Sequence, residues 1–211
     1  MANPTIEELQ KSSEFELIAK LSHNEIKEFV LNRFSEGGKI ITAFMIYQVV
    51  MVLGGLFFFA YAVILFFRGN SEPFYYSLGA LIFCFSLLIV FHELLHGVAL
   101  KIVGAKNVRF GAYIKKFVFY AEANRFVLNR RQFAFVALAP LVVIKLISII
   151  AIFFFISSPQ LYFFVFLMSA HSLFCAGDIG LLSVFCNYPG REVFTFDIKD
   201  EKTSFYFLRN N

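Results

Sequence analysis

The sequence predicts an all-α polytopic membrane protein with about four transmembrane helices, a small membrane-associated β-hairpin between helices 2 and 3, and a short β-rich C-terminal tail. Two observations support this fold class. The 211-residue chain is 59% hydrophobic with a mean hydropathy of +0.71, above the roughly 45–50% apolar content of soluble proteins. Four apolar stretches are each long enough to cross a bilayer, which takes about 20 residues.

The segment before the first apolar stretch, residues 1–39, is predicted to be a cytoplasmic amphipathic helical arm. It contains acidic residues throughout and has no apolar run of the length that a cleavable signal peptide needs. Three S/T-x-x-E patterns are typical of capping boxes at helix starts. They are Thr5 with Glu8, Ser13 with Glu16, and Ser22 with Glu25. His23 lies among charged residues and is predicted to be a solvated surface side chain.

The apolar stretches define a membrane domain over residues 40–186, followed by a cytoplasmic tail over residues 187–211. The predicted spans are approximately residues 40–67, 74–103, 132–157 and 160–186. Basic residues are concentrated in the N-terminal arm and in the connection 104–131, whereas the other two connections are short and carry little charge. The positive-inside rule therefore places both basic segments and both termini in the cytoplasm, which agrees with an even number of spans.

The basic connection contains "VRFGAYIKKFVFYAEA", residues 108–123, in which bulky apolar residues stand on both sides of Lys115-Lys116. This pattern predicts a β-hairpin. Because backbone groups cannot face lipid without partners, the hairpin must lie at the interface or line a cavity. An interfacial loop without a binding role remains an open alternative. The tail is predicted to form two strands, Val193 to Ile198 and Ser204 to Leu208.

Polar residues interrupt the second span in the stretch "FHELLHGVAL", residues 91–100. On a helix, His92 and His96 lie one turn apart on the same face, and Glu93 lies beside them. This H-E-x-x-H spacing is typical of zinc metallopeptidases: two imidazoles bind Zn²⁺, which lowers the pKa of its water, and the glutamate accepts a proton. Ionisable residues at membrane depth are costly and usually functional. The alternative is a polar cluster without a metal.

A catalytic zinc usually has a third protein ligand, and Asp178 is the candidate. It is the only carboxylate inside a predicted span besides Glu93. Asp178 and His92 each lie 18 residues from the outer start of their predicted spans, which corresponds to about 27 Å along a straight helix. The equal depths predict that Asp178 completes the zinc site with His92 and His96.

Two further polar residues within the spans, His171 and Lys145, are candidates for lining the pocket or binding substrate. For His171 the alternative is an interhelical hydrogen bond, and for Lys145 it is a structural pair or a snorkelling side chain. Cys175 shares a helical face with His171 but is not predicted as a ligand, because Asp178 already supplies one. The three cysteines lie in apolar segments without paired spacing, which argues against a disulfide framework.

The combination of "HELLHG", a hairpin-like connection and "AGDIG" over about residues 74–186 resembles the site-2 protease type of intramembrane zinc metalloproteases. It is more similar still to a bacterial group described as putative zincin peptidases. The resemblance implies that His92, His96 and Asp178 bind zinc, that Glu93 is the catalytic base, and that the hairpin holds substrate as an extended strand. It also implies a bacterial cell membrane. The chain lacks the N-x-x-P-x-x-x-L-D-G form of the better-known members and has no inserted PDZ domain.

The predicted function is therefore intramembrane zinc metallopeptidase activity, with Zn²⁺ as cofactor and a peptide or membrane protein as substrate. Glu93 would activate the attacking water, and the lipid bilayer is the other expected partner. Alternatives are a non-catalytic metal-binding membrane protein and a pseudoprotease that acts as a partner or chaperone. A di-iron oxidase would need more ligands than four histidines provide. The basic residues form no stripe of the kind that binds nucleic acid.

Overall fold

The computed structural model describes residues 3–113 and 118–210. Its helices and strands, in chain order, are α1 (Ile6–Lys11), β1 (Phe15–Ser22), α2 (Ile26–Glu36), α3 (Lys39–Phe67), α4 (Glu72–Cys84), α5 (Leu87–Ile102), β2 (Arg109–Tyr113), β3 (Val118–Glu122), β4 (Leu128–Asn129), α6 (Arg130–Phe154), α7 (Gln160–Phe174), α8 (Ala176–Cys186), β5 (Val193–Ile198) and β6 (Thr203–Arg209).

The described residues divide into two compact units. The first, which we call the sheet unit, lies within residues 1–41, 93–138 and 177–211, and the second, the helical unit, within 42–92 and 139–176. The division passes through α5 between His92 and Glu93 without interrupting that helix.

The prediction of an all-α fold is wrong. About 62% of the described residues are helical, and these residues also form two sheets: a four-stranded antiparallel sheet of order β1-β6-β5-β4 and a two-stranded sheet of β2 and β3. The error lies mainly in β1, which was predicted to be helical. This segment instead pairs with β6, from Phe15 opposite Arg209 to Ser22 opposite Thr203. The sheet of the C-terminal tail therefore includes a strand from the N-terminal end of the chain.

The two-stranded sheet lies where the hairpin was predicted. It pairs Arg109 with Glu122 at one end and Tyr113 with Val118 at the other. The predicted turn at Lys115 and Lys116 falls outside the described residues.

Aromatic rings form much of the apolar core of the sheet unit. Phe196 of β5 is 1% exposed and stacks on Phe205 and Phe207 of β6, with ring centroids 5.3 and 5.9 Å apart. Leu9 and Val127 complete the same buried cluster from α1 and from the segment before β4. Burying such rings is a large favourable contribution to folding, so this cluster fixes the termini of the chain against each other.

Replacing Phe196 by Ala is expected to lower the unfolding free energy of the sheet by about 3–5 kcal/mol, because it leaves a cavity between two stacked rings. Hydrogen exchange of the β5 and β6 amides measures this local free energy. The matched control is Leu17→Ala in β1, where the side chain is 48% exposed. Similar exchange rates for the Phe196 variant and the wild type would contradict the assigned core.

His23 is not the surface side chain that the sequence predicts. It is 6% exposed and lies edge-on against the ring of Tyr120 in β3, with centroids 5.2 Å apart. Burial lowers the pKa of His23, because it disfavours the charged imidazolium. Burial also disfavours the charged carboxylate of the neighbouring Glu122, which raises the pKa of that group. Charged residues close in sequence therefore do not report the exposure of this histidine.

The helical unit is held by close helix packing and aromatic contacts. Ser169 of α7 donates a hydrogen bond of 2.7 Å to the carbonyl of Met51 in α3. A side chain at Gly55 would collide with Ser169, so the small residue allows the two helices to approach. Many apolar side chains of α3 face outward, including Phe57 at 66% and Phe67 at 82% exposure, as expected for contact with lipid.

The described residues contain two to four candidate membrane spans, judged by helix length and hydropathy. Only α3 and α6 are single described helices of sufficient length and hydropathy, and the bent pairs α4 with α5 and α7 with α8 each add one if the pair is a single span. The bent pairs lie within the spans predicted over residues 74–103 and 160–186, with bends of 50° and 46° between their two helices. Around the first break, Ser86 bonds back to the carbonyl of Ile82 at 2.7 Å, a contact typical of bent helices.

Candidate metal centre

Helix α5 carries the H-E-x-x-H motif. His92 and His96 are 5% and 7% exposed, and Glu93 is half-buried. Since α5 is continuous from Leu87 to Ile102, a spacing of four residues directs both imidazoles to one helical face. Two buried imidazoles therefore lie one turn apart, with a carboxyl group next to the first.

Asp178 contacts the second histidine within the sheet unit. One of its carboxylate oxygens, Oδ1, lies 3.2 Å from Nε2 of His96. Asp178 lies in the first turn of α8. The other ring nitrogen of His96, Nδ1, lies 2.9 Å from the carbonyl oxygen of Val136. Because a carbonyl oxygen only accepts hydrogen bonds, Nδ1 carries the proton, and a neutral His96 therefore presents the lone pair of Nε2 toward Asp178.

A proline frees the carbonyl of Val136 for this contact. In an α-helix that carbonyl would accept a hydrogen bond from the N–H of residue 140. Residue 140 is a proline inside α6, and proline has no N–H to donate. Nδ1 of His96 therefore takes the place of the missing backbone donor. Metal-binding histidines are commonly oriented in this way, by donating their second ring N–H to a carbonyl group.

Replacing Pro140 by Ala is expected to weaken zinc binding by about 10–100-fold, the usual cost of losing an outer partner of a metal-binding histidine. The new N–H at residue 140 would compete with His96 for the Val136 carbonyl, although the alanine favours the helix itself. Zinc affinity is measured by competition with a chelator. The control is Pro189→Ala, outside the described helices and strands, and unchanged zinc affinity in the Pro140 variant would refute the orienting role.

The separation of His96 and Asp178 suits two ligands of one zinc ion. Zinc bonds of about 2.0–2.1 Å to nitrogen and 2.0–2.2 Å to oxygen at a tetrahedral angle place the two atoms about 3.3–3.5 Å apart. The observed separation is 3.2 Å. A metal-binding imidazole uses a ring nitrogen without a proton. With Nε2 in that state, the nitrogen and the carboxylate oxygen are two acceptors that a cation would bridge, so the residues fit a metal ion.

The two-stranded sheet lies against the motif helix. A Cβ atom added at Gly97 would come within 2.5 Å of the ring of Phe110 in β2. Gly97 directly follows His96, so the missing side chain lets β2 approach the helix next to a candidate ligand. Phe110 itself remains 53% exposed.

The structure places the two candidate pocket residues, His171 and Lys145, in the helical unit. Nε2 of His171 lies 3.0 Å from Nδ1 of His92, and His171 is fully buried. The ammonium of Lys145 lies 4.7 Å from the centre of the Tyr47 ring and 3.4 Å from the sulfur of Met51. His171 is thus next to a predicted zinc ligand, whereas these contacts of Lys145 are with α3.

Comparison with known families identifies the family of the chain. The family model described as "putative zincin peptidase" matches residues 85–193, which is more than half of the chain. The chain belongs to this family. No curated protein and no solved structure gives a significant match.

Membership in the zincin peptidase family indicates metallopeptidase activity and implies zinc. It confirms the resemblance to that group predicted from "HELLHG" and "AGDIG". The matched segment contains the motif helix, Asp178 and Pro140. Among these residues, the sequence reasoning missed the link between Pro140 and His96. A proline inside a helix indicates from the sequence alone that one backbone carbonyl lacks its usual donor. The sequence does not show that the replacing donor, His96, comes from another helix.

Proposed function

We propose that the protein is an intramembrane zinc metallopeptidase of the site-2 protease type, which hydrolyses peptide bonds of membrane-associated substrates. The observation that carries this proposal is the contact between His96 and Asp178, made by the motif helix of a zincin family member. An apolar helix has no structural need for buried imidazoles and a carboxylate, and such groups are costly within a membrane.

The proposed zinc ligands are His92, His96 and Asp178. The 3.2 Å separation of His96 and Asp178 supports two of them. The third, His92, precedes His96 by one turn of the continuous helix α5, the spacing by which two histidines bind one zinc ion. Three protein ligands leave one position for water or substrate.

Zinc bound at these residues would polarise the scissile carbonyl and lower the pKa of water to about 7. Glu93 would accept a proton from the attacking water and deliver it to the leaving amine. Glu93 is adjacent to the proposed ligand His92 but is not itself a proposed ligand, which suits this role. Nδ1 of His96 would keep its proton and its hydrogen bond to the Val136 carbonyl during the reaction, so the orientation of the ring would not change.

The two-stranded sheet is the proposed substrate-binding element. Among the described residues this sheet consists of β2 and β3. An extended peptide can add to the edge of a sheet through backbone hydrogen bonds. The contact of Phe110 with Gly97 supports this role, because it brings β2 next to the motif. A helical substrate must unwind first, since its own hydrogen bonds occupy the backbone groups.

The proposed location is a bacterial cell membrane with both termini in the cytoplasm. The basic residues of the first 39 residues and of residues 104–131 support this orientation through the positive-inside rule. The lipid bilayer and a peptide or membrane protein are then the partners.

Substitution of Glu93 by Gln tests the proposal. The full-length protein is reconstituted in liposomes, and cleavage of a mixed library of fluorescence-quenched peptides is measured together with bound zinc. Loss of cleavage with retention of zinc is the expected result.

A further inference from the structure

A second group of metal-binding side chains lies within the helical unit. It consists of His92, His171 and Cys175, whose potential ligand atoms all lie within 4.8 Å of one another. All three residues are buried, at 5%, 0% and 0% exposure. His171 and Cys175 are one helical turn apart at the end of α7, so they share a face. Neither has a part in the proposed hydrolysis.

The spacing of these atoms is close to that of ligands around one ion. Nδ1 of His92 lies 3.0 Å from Nε2 of His171, and the sulfur of Cys175 lies 3.8 Å from the same Nε2. Zinc bonds of about 2.0–2.1 Å to nitrogen and 2.3 Å to sulfur at a tetrahedral angle predict about 3.3–3.4 Å and 3.6 Å. Both observed separations differ from these values by a few tenths of an ångström.

We propose that His92, His171 and Cys175 form a second metal position, which binds thiophilic divalent ions such as Cd²⁺. Soft thiolate with two imidazoles is a ligand set that favours such ions over Mg²⁺ or Ca²⁺. Binding breaks the contact between His92 and His171 and forms three metal–ligand bonds. The Cys175 thiol releases its proton to solvent. The rings of His92 and His171 carry their protons on Nε2 and Nδ1, respectively, which leaves Nδ1 of His92 and Nε2 of His171 to the metal.

This position has a consequence for regulation, which rests on the proposed function. A neutral imidazole has only one nitrogen with a free lone pair. When Nδ1 of His92 binds an ion in the second position, Nε2 is protonated and unavailable to the proposed catalytic zinc. The two positions therefore compete for His92, and thiophilic metals inhibit the peptidase through Cys175.

The test uses the full-length protein in detergent, reduced and freed of metal with a chelator, and Cd²⁺ as the probe. The wild type should develop thiolate-to-cadmium ultraviolet absorption that saturates at one equivalent. Cys175→Ser should lose this absorption. Cys84→Ser and Cys186→Ser, which remove the other two of the three cysteines, are the matched controls and should retain the absorption. His171→Asn should weaken Cd²⁺ binding by at least about tenfold, the lower end of what even an outer partner contributes.

The second metal position is refuted if wild type shows no thiolate absorption, or if Cys175→Ser retains it. If the wild type shows no such absorption and His171→Asn weakens zinc binding, His171 only orients His92 and is not a ligand of a second ion. Retained zinc in Cys175→Ser shows that the variant is folded. Glu93→Gln and Asp178→Ala should keep the cadmium absorption, so failure of the peptidase proposal and failure of the second position give different results.

Discussion

Glu93→Gln should lower peptide cleavage by about 10²- to 10⁴-fold, the usual contribution of a general acid–base group. Glutamine has nearly the same shape as glutamate but cannot accept the proton of the attacking water. Bound zinc should stay at the wild-type level, because Glu93 is not one of the proposed ligands. Cleavage and zinc content measured on the same preparation separate these two effects.

The matched control for this variant is Glu72→Gln, in the first turn of α4. It removes one negative charge outside the motif and should leave both cleavage and zinc unchanged. Wild-type cleavage in Glu93→Gln would refute the assigned base. If the zinc-loaded wild type cleaves nothing, the protein is instead a non-catalytic metal-binding protein or a pseudoprotease, and Glu93→Gln should then leave its cellular phenotype intact.

Local sequence signals predicted those parts of the fold whose partners are close in sequence. Thr5 and Glu8 form the predicted capping box at the start of α1. The strand predicted from Val193 to Ile198 has those bounds in the structure, and its partner β6 follows after a short turn. Turn residues and alternating apolar side chains determine such hairpins locally.

The strand β1 could not be predicted in the same way. Its segment begins and ends near capping patterns, at Ser13 with Glu16 and at Ser22 with Glu25. Helix α2 does start there, but its N-cap residue Glu25 makes no side-chain capping bond. The pairing of Phe15 with Arg209 joins the two ends of the chain, and no local pattern reports so distant a partner. Tertiary pairing has overridden local propensity.

The sequence predicted which residues belong to the candidate site better than it predicted how they are arranged. The motif spacing alone placed His92, Glu93 and His96, because a helix fixes the directions of residues one turn apart. Asp178 was selected by comparing depths along straight helices. The helices of both spans are broken, after Cys84 and at Cys175, so depths along straight helices cannot be compared. Hydropathy does not reveal such bends. The case for Asp178 now rests on its contact with His96.

Asp178→Ala should weaken zinc binding by at least on the order of 100-fold, the upper end of what loss of an outer partner costs. Alanine removes the oxygen that lies 3.2 Å from His96 and leaves two of the three proposed ligands. Affinity is measured by chelator competition on the purified full-length protein. Cleavage should fall at trace zinc and recover in part at high zinc, since two imidazoles can still bind the ion weakly.

Recovery at high zinc separates a lost ligand from a lost base, because Glu93→Gln should not recover at any zinc concentration. The matched control is Asp200→Ala, an exposed aspartate in the turn before β6, which should keep wild-type affinity. Asp178→Asn should fall between Asp178→Ala and the wild type, because its amide oxygen is a neutral and therefore weaker ligand than a carboxylate. If zinc stoichiometry and affinity stay unchanged in Asp178→Ala, Asp178 is not a ligand, and the third ligand must come from another residue.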